Sequence, residues 1–129
     1  MRLGIYLIAA LLATGVAQAK VPFWGDKASM PVETDPATLK PGQFVWNAAA
    51  SPSGPIVVVV SLAEQRADVY RNGIRIGVTT VSTGRAGHKT PTGVFTILQK
   101  DKDHHSSIYN NAAMPYTERL TWGGVALHA

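Results

Sequence analysis

Cysteine is the first residue type that this sequence lacks: none of its 129 residues is a cysteine. Any fold of the chain must therefore be held together by packing alone, without disulfide bonds. The same absence removes thiolate ligands for a metal ion and leaves the chain without a thiol nucleophile.

Two further absences concern helices and clustered charge. No stretch shows a convincing amphipathic helical period, so the sequence predicts a domain that is mostly β. The formal net charge is only +4, and the basic residues are scattered rather than gathered in a stripe with interleaved aromatic residues. We therefore expect no nucleic-acid partner, whereas a mild positive charge suits polyanionic surroundings such as a cell wall.

The first 19 residues have the pattern of an export signal. Arg2 supplies a positive charge, an apolar run follows it, and Ala17-Gln18-Ala19 forms a small-x-small cleavage site. The apolar run is shorter than the roughly 20 residues that a membrane span needs. We expect residues 1–19 to be a signal peptide, removed on export to the periplasm or cell wall and leaving no integral membrane span. An uncleaved anchor is the alternative.

The rest of the chain divides where its composition changes. Residues 20–53 are rich in proline and predict an extended lead-in, in which "GQFVW" is apolar enough to pack onto a domain. Residues 54–129 hold the β-rich runs, which are "PIVVVVSL", two runs joined by Asn72-Gly73, "GVFTIL" at 93–98, and finally "MPYTERLTW" and "GVALH". Asn-Gly is the strongest short-range signal for a tight hairpin. After that turn, alternation predicts Ile74, Ile76 and Val78 on one face.

A glycine-rich segment, "STGRAGHKTPTGVF" at 82–95, joins two of these runs. Its glycines raise the possibility of a phosphate cradle. However, the segment lacks the lysine-serine ending of a nucleotide loop, and no helix follows it to present a dipole. A shaped surface loop is the simpler interpretation.

The four histidines are His88, His104, His105 and His128, and they raise the possibility of a metal site. Adjacent His104 and His105 point to opposite faces if the backbone is extended, and no helical i, i+4 pair exists. We therefore expect no metal site. His128 differs because it follows the apolar run "GVAL" at a strand end. There it is either a structural residue or a general base that lacks a nucleophile.

Taken together, "GPIVVVVSLAEQRADVYRNGIRIGVTTVSTGRAGHKTPTGVFTIL" and "MPYTERLTWGGVALHA" resemble the catalytic domain of the bacterial L,D-transpeptidases. The resemblance runs in register from around Gly54 to the end of the chain. No single piece is specific, and the order and spacing of the hairpin, the STG turn and the TPTG element carry the assignment. The resemblance implies a mostly-β fold of the β-sandwich or meander kind, no cofactor, and peptidoglycan peptide stems as the partner.

The family implies a transferase with a cysteine nucleophile. That cysteine attacks the amide carbonyl at the L-centre of diaminopimelate in a tetrapeptide stem and releases D-alanine. An amine, usually on another stem, then resolves the thioester to give a cross-link. By resemblance His128 is the base that makes the thiolate, and the carbonyl of a following residue orients its ring. Tyr116 and Trp122 fall near the family's cleft and are predicted to line the substrate groove, or else to pack in the core and rim.

The sequence departs from the family where its signature continues Ser-His-Gly-Cys, because the chain ends one residue after His128. The resemblance therefore predicts a domain that is incomplete at its C-terminus and inactive as it stands. The alternative is a non-catalytic periplasmic module that binds peptidoglycan. Incompleteness also predicts an unpaired strand edge near the run Val57 to Val60, which favours aggregation.

Overall fold

The computed structural model describes residues 28–129. The predicted signal peptide and the start of the lead-in lie outside the described residues. The described chain is mostly β, as predicted, and it forms two antiparallel sheets. No helix in the described part is long and apolar enough to cross a membrane.

The larger sheet has four strands in the order β1-β4-β3-β2, so that β2, β3 and β4 form the predicted meander. Its strands are β1 Phe44–Trp46, β2 Ile56–Ser61, β3 Arg66–Arg71 and β4 Ile74–Thr80. The smaller sheet has the order β5-β6-β7, with β5 Gln99–Asp101, β6 Thr117–Arg119 and β7 Ala126–Leu127. Among the described residues, extensive contacts between strands form only between strands of the same sheet.

The hairpin between β3 and β4 turns at Asn72-Gly73, as the sequence predicts. Both residues have positive φ, 50° and 76°, which is the backbone that a two-residue type I′ turn requires. Asparagine tolerates this left-handed region and glycine has no Cβ to oppose it. The local sequence therefore sets the pairing of β3 with β4.

One feature of this hairpin corrects the predicted alternation. The register between β3 and β4 shifts between Val69 and Tyr70, where a β-bulge places one extra residue on β4. Ile76 and Val78 are both buried, whereas Ile74 lies before the bulge and is 48% exposed. The prediction that the three share one face is therefore wrong for Ile74.

The core of the described part lies in the middle of the larger sheet. Its buried apolar side chains are Val45, Ala67, Ile76 and Val78, of which Ile76 is only 1% exposed. The strand β1 belongs to the "GQFVW" segment and pairs with β4, which confirms that this part of the lead-in packs onto the domain. Trp46 of β1 lies over Gly77, where any Cβ would meet its ring at 2.5 Å.

Strand β2 is an edge strand that exposes its side chains. Ile56, Val57, Val59 and Val60 are 38–58% exposed. Pro55 accepts a hydrogen bond from the amide of Asn72 at 2.9 Å, so the main-chain groups of Pro55 point toward β3. Because these groups alternate along a strand, the N–H and C=O of residues 56, 58 and 60 point to the open side.

The predicted strand at 93–98 is not formed. This segment is irregular, Val94 is fully exposed, and the adjacent strand β5 begins only at Gln99. Within the described residues, one main-chain hydrogen bond joins this segment to a strand. The amide of Leu98 donates to the carbonyl of Arg119 at 2.8 Å. A run of β-favouring residues forms a strand only where a neighbouring strand pairs with it. Strand β6 is three residues long, and those three residues pair with β5.

Candidate active site

His128 lies directly after β7, beside the beginning of β6. Leu127 is paired with Glu118 and Ala126 with Arg119. The amide of Ala129 donates to the carbonyl of Pro115 at 3.1 Å, so the pairing of the two segments continues past His128. The main chain of His128 is therefore held on both sides, while its side chain is exposed.

The His128 ring has one described contact, between Nδ1 and the main-chain oxygen of Ala129 at 3.1 Å. That oxygen can only accept a hydrogen bond, so the contact is a hydrogen bond in the tautomer that carries its hydrogen on Nδ1. In the neutral ring, Nε2 then carries the free lone pair. A histidine in this tautomer can take a proton from a nucleophile that approaches Nε2.

Arg119 shares a face of the small sheet with His128. It is paired with Ala126 of β7, and His128 follows two residues later on the same side. Diagonal neighbours of this kind lie about 7–8 Å apart. The guanidinium Nε donates to Oε1 of Gln99 on β5 at 3.1 Å, and Cζ lies 5.8 Å from the centre of the Trp122 ring.

Tyr116 and Trp122 flank β6, one before its first residue and one after its last. Tyr116 has a positive φ of 54°, and its amide donates to the carbonyl of Lys102 at 3.0 Å. Trp122 is 73% exposed and follows β6 in the turn that leads to β7. The structure thus brings both predicted groove residues and His128 to the same small sheet; their roles in substrate binding stay predictions.

The segment at 82–93 is held by the turn between β2 and β3. Gln65 donates from Nε2 to the hydroxyl of Thr83 at 2.5 Å and accepts the Thr83 amide at Oε1, 3.1 Å. The amide of Gly84 donates to the Thr90 hydroxyl at 2.6 Å, and a Cβ at Gly84 would collide with the main-chain oxygen of His88. The STG and TPTG elements are therefore joined into one closed loop.

Sequence reasoning missed Gln65 and Arg119. Gln65 has a left-handed backbone, φ 49°, and its contact with Thr83 spans 18 residues of sequence. Arg119 meets its partner Gln99 across 20 residues. No spacing rule links residues so far apart, because only the strand register brings them together.

The described residues contain no group of three or more histidine, cysteine, aspartate or glutamate side chains that could hold a metal ion. His104 Nδ1 pairs with Asp101 at 3.2 Å, and His105 Nδ1 lies 3.0 Å from the main-chain oxygen of Asp103. Two hollows lie on the larger sheet, one over Ile76 and one beside Arg66, and neither is lined by His128.

Comparison with family models gives one match. Residues 55–129, more than half of the chain, match the model of the L,D-transpeptidase catalytic domain (YkuD). Comparisons with curated proteins and with solved structures found no match. The matched segment includes the closed loop and the small sheet that carries His128. The chain therefore belongs to the L,D-transpeptidase catalytic domain family.

Proposed function

We propose that this chain is the part of a peptidoglycan L,D-transpeptidase domain that binds the peptide stem and carries the catalytic base. The family match over residues 55–129 carries the proposal. In this proposal residues 1–19 direct export to the periplasm, residues 20–53 are a lead-in, and residues 54–129 are the domain that binds peptidoglycan. The substrate is a tetrapeptide stem, and the reaction is acyl transfer from that stem to an amine.

His128 is the proposed base. Its support is the contact between Nδ1 and the Ala129 oxygen, because in the tautomer that donates to this oxygen Nε2 carries the lone pair that can accept the proton of a thiol. Tyr116 and Trp122 are proposed to line the groove for the stem. Tyr116 precedes β6 beside the His128 segment, and Trp122 lies in the turn between β6 and β7. An exposed indole such as that of Trp122 offers a flat apolar surface with one polar edge for a peptide.

The 129 residues contain no cysteine, so the chain by itself does not form the acyl-enzyme. We expect the purified protein to release no D-alanine from tetrapeptide muropeptides and to produce no cross-linked muropeptides. Analysis of the products by liquid chromatography and mass spectrometry measures both. Cross-linked products made by the purified chain would refute this expectation.

We propose as a second candidate function a module that binds stems without acylating them, a function that needs no cysteine. Retention of the purified protein on intact sacculi, against a lysozyme-digested control, detects binding in either case. Sequencing beyond codon 129 in all three frames separates the two candidates. A Ser-His-Gly-Cys element after a short spacer supports the enzyme, and a stop codon without that element supports the binding module.

A further inference from the structure

Arg119 is held in place by groups that do not neutralise it. Its Nε donates to the Gln99 amide oxygen, and its guanidinium lies over the Trp122 ring. Both contacts use neutral groups, so neither supplies a counter-charge for the guanidinium. Within residues 28–129, neither contact uses the two terminal nitrogens of the Arg119 guanidinium.

The other arginines in the described sheets have different surroundings. Arg66 and Arg75 both pair with the Asp68 carboxylate, and Arg71 donates to the main-chain oxygens of Ser51 and Pro52. Within residues 28–129, no carboxylate lies within ion-pair distance of Arg119; its neighbour in sequence, Glu118, pairs with Lys100 at 3.6 Å. Glu118 also points to the other face of β6, because side chains alternate along a strand.

We infer that Arg119 is a carboxylate-binding residue, and that its ligand is a free carboxylate of a peptidoglycan stem. A half-buried guanidinium with its terminal nitrogens unused matches the planar, two-oxygen geometry of a carboxylate. The register places Arg119 diagonally across from His128, and the backbones of such diagonal neighbours lie about 7–8 Å apart. The inference rests on the proposed function and names the chemical group that the site recognises, a carboxylate.

Two of the stem's free carboxylates belong to the residues joined by the amide that the family cleaves, namely the terminal carboxylate of the last residue and the carboxylate on the diaminopimelate side chain. The terminal carboxylate is one residue away from the amide that the family cleaves, so it reaches Arg119 when that amide lies beside His128. Both groups would make the same bidentate contact, and ligands that lack one or the other distinguish them.

The experiment is isothermal titration calorimetry of the exported protein with three ligands: the tetrapeptide stem, its C-terminal amide, and a stem with lysine in place of diaminopimelate. We expect the protein to bind the stem at least roughly tenfold more tightly than one of the two analogues, as expected for loss of a charge-assisted contact. Arg119→Gln should bind all three ligands equally, with the affinity of the weaker analogue. Arg119→Lys should keep part of the preference, because lysine keeps the positive charge but lacks the planar pair of terminal nitrogens.

Arg75→Gln is the matched control, since Arg75 carries the same charge on the other sheet and should leave the preference unchanged. The affinity of Arg119→Gln for the weaker analogue serves as its folding control, because an unfolded variant loses that binding too. Equal binding of the three ligands by the unaltered protein, or a preference that survives in Arg119→Gln, overturns the inference about Arg119 alone. Absence of binding to any stem overturns the proposed function and this site with it.

Discussion

The open edge of β2 allows a direct prediction of how the chain associates. The main-chain groups of residues 56, 58 and 60 point outward, as the bond between Pro55 and Asn72 indicates. A second copy that pairs antiparallel about Val58 would place 56 opposite 60 and use all of these groups. Its side-chain pairs would be Ile56 with Val60, Val58 with Val58, and Val57 with Val59, all of them β-branched and uncharged. We therefore expect concentration-dependent self-association through β2.

The combined change Val57→Lys and Val59→Lys tests this pairing. Both valines are slightly more than half exposed, so each would bury about half of its side chain in the pair, worth about 1 kcal/mol. Two copies lose four such side chains, or about 4 kcal/mol, which weakens association by about a thousandfold. The predicted register also puts lysine opposite lysine, and like charges directly opposite each other destabilise a strand pair further.

Sedimentation velocity over a wide range of protein concentration measures the association. The matched control is Val94→Lys, which removes an exposed valine from the irregular segment rather than from a strand edge. We expect the control to associate like the unaltered protein and the double variant to stay monomeric. A monomeric unaltered protein with one cooperative melting transition, or a double variant that still associates, would refute the reasoning.

Two stability predictions concern the centre of the larger sheet. Ile76→Ala should lower the free energy of unfolding by about 2–5 kcal/mol, because the side chain is 1% exposed, whereas Ile74→Ala should cost less than half as much at 48% exposure. Urea titrations compare the two, and equal losses would contradict the assigned core. Gly77→Ala should cost about 1–3 kcal/mol, because its Cβ would lie 2.5 Å from the Trp46 ring. Combining it with Trp46→Leu should recover part of that loss, and strictly additive losses would show that the two residues do not touch.

Local sequence predicts the parts of this fold that depend on neighbours in the chain. Asn72-Gly73 specifies its turn through backbone angles that few other residues adopt, and the valine run predicts β2 through its β-branched side chains. The face of Ile74 could not be predicted, because the bulge between Val69 and Tyr70 depends on the register of two strands. The run at 93–98 has strand composition but little pairing, and composition alone does not supply a partner strand.

The residues of the candidate site also differ in whether the sequence alone could single them out. His128 could be singled out because it follows an apolar run at a strand end. Its ring contact with Ala129 is local, between adjacent residues. Arg119 could not be singled out, since its surroundings come from β5 and from the turn after β6.

The pairing of β1 with β4 shows that the folded sheet extends beyond the segment that the family model matches. The matched family segment begins at residue 55, but β1 precedes it and covers the outer side of β4. Without β1, the larger sheet would have three strands, β4 would become an edge strand, and Val78 would lose its partner Val45. The segment that the family model matches is therefore shorter than the part of the chain that builds the core of the larger sheet, since Val45 lies outside that segment.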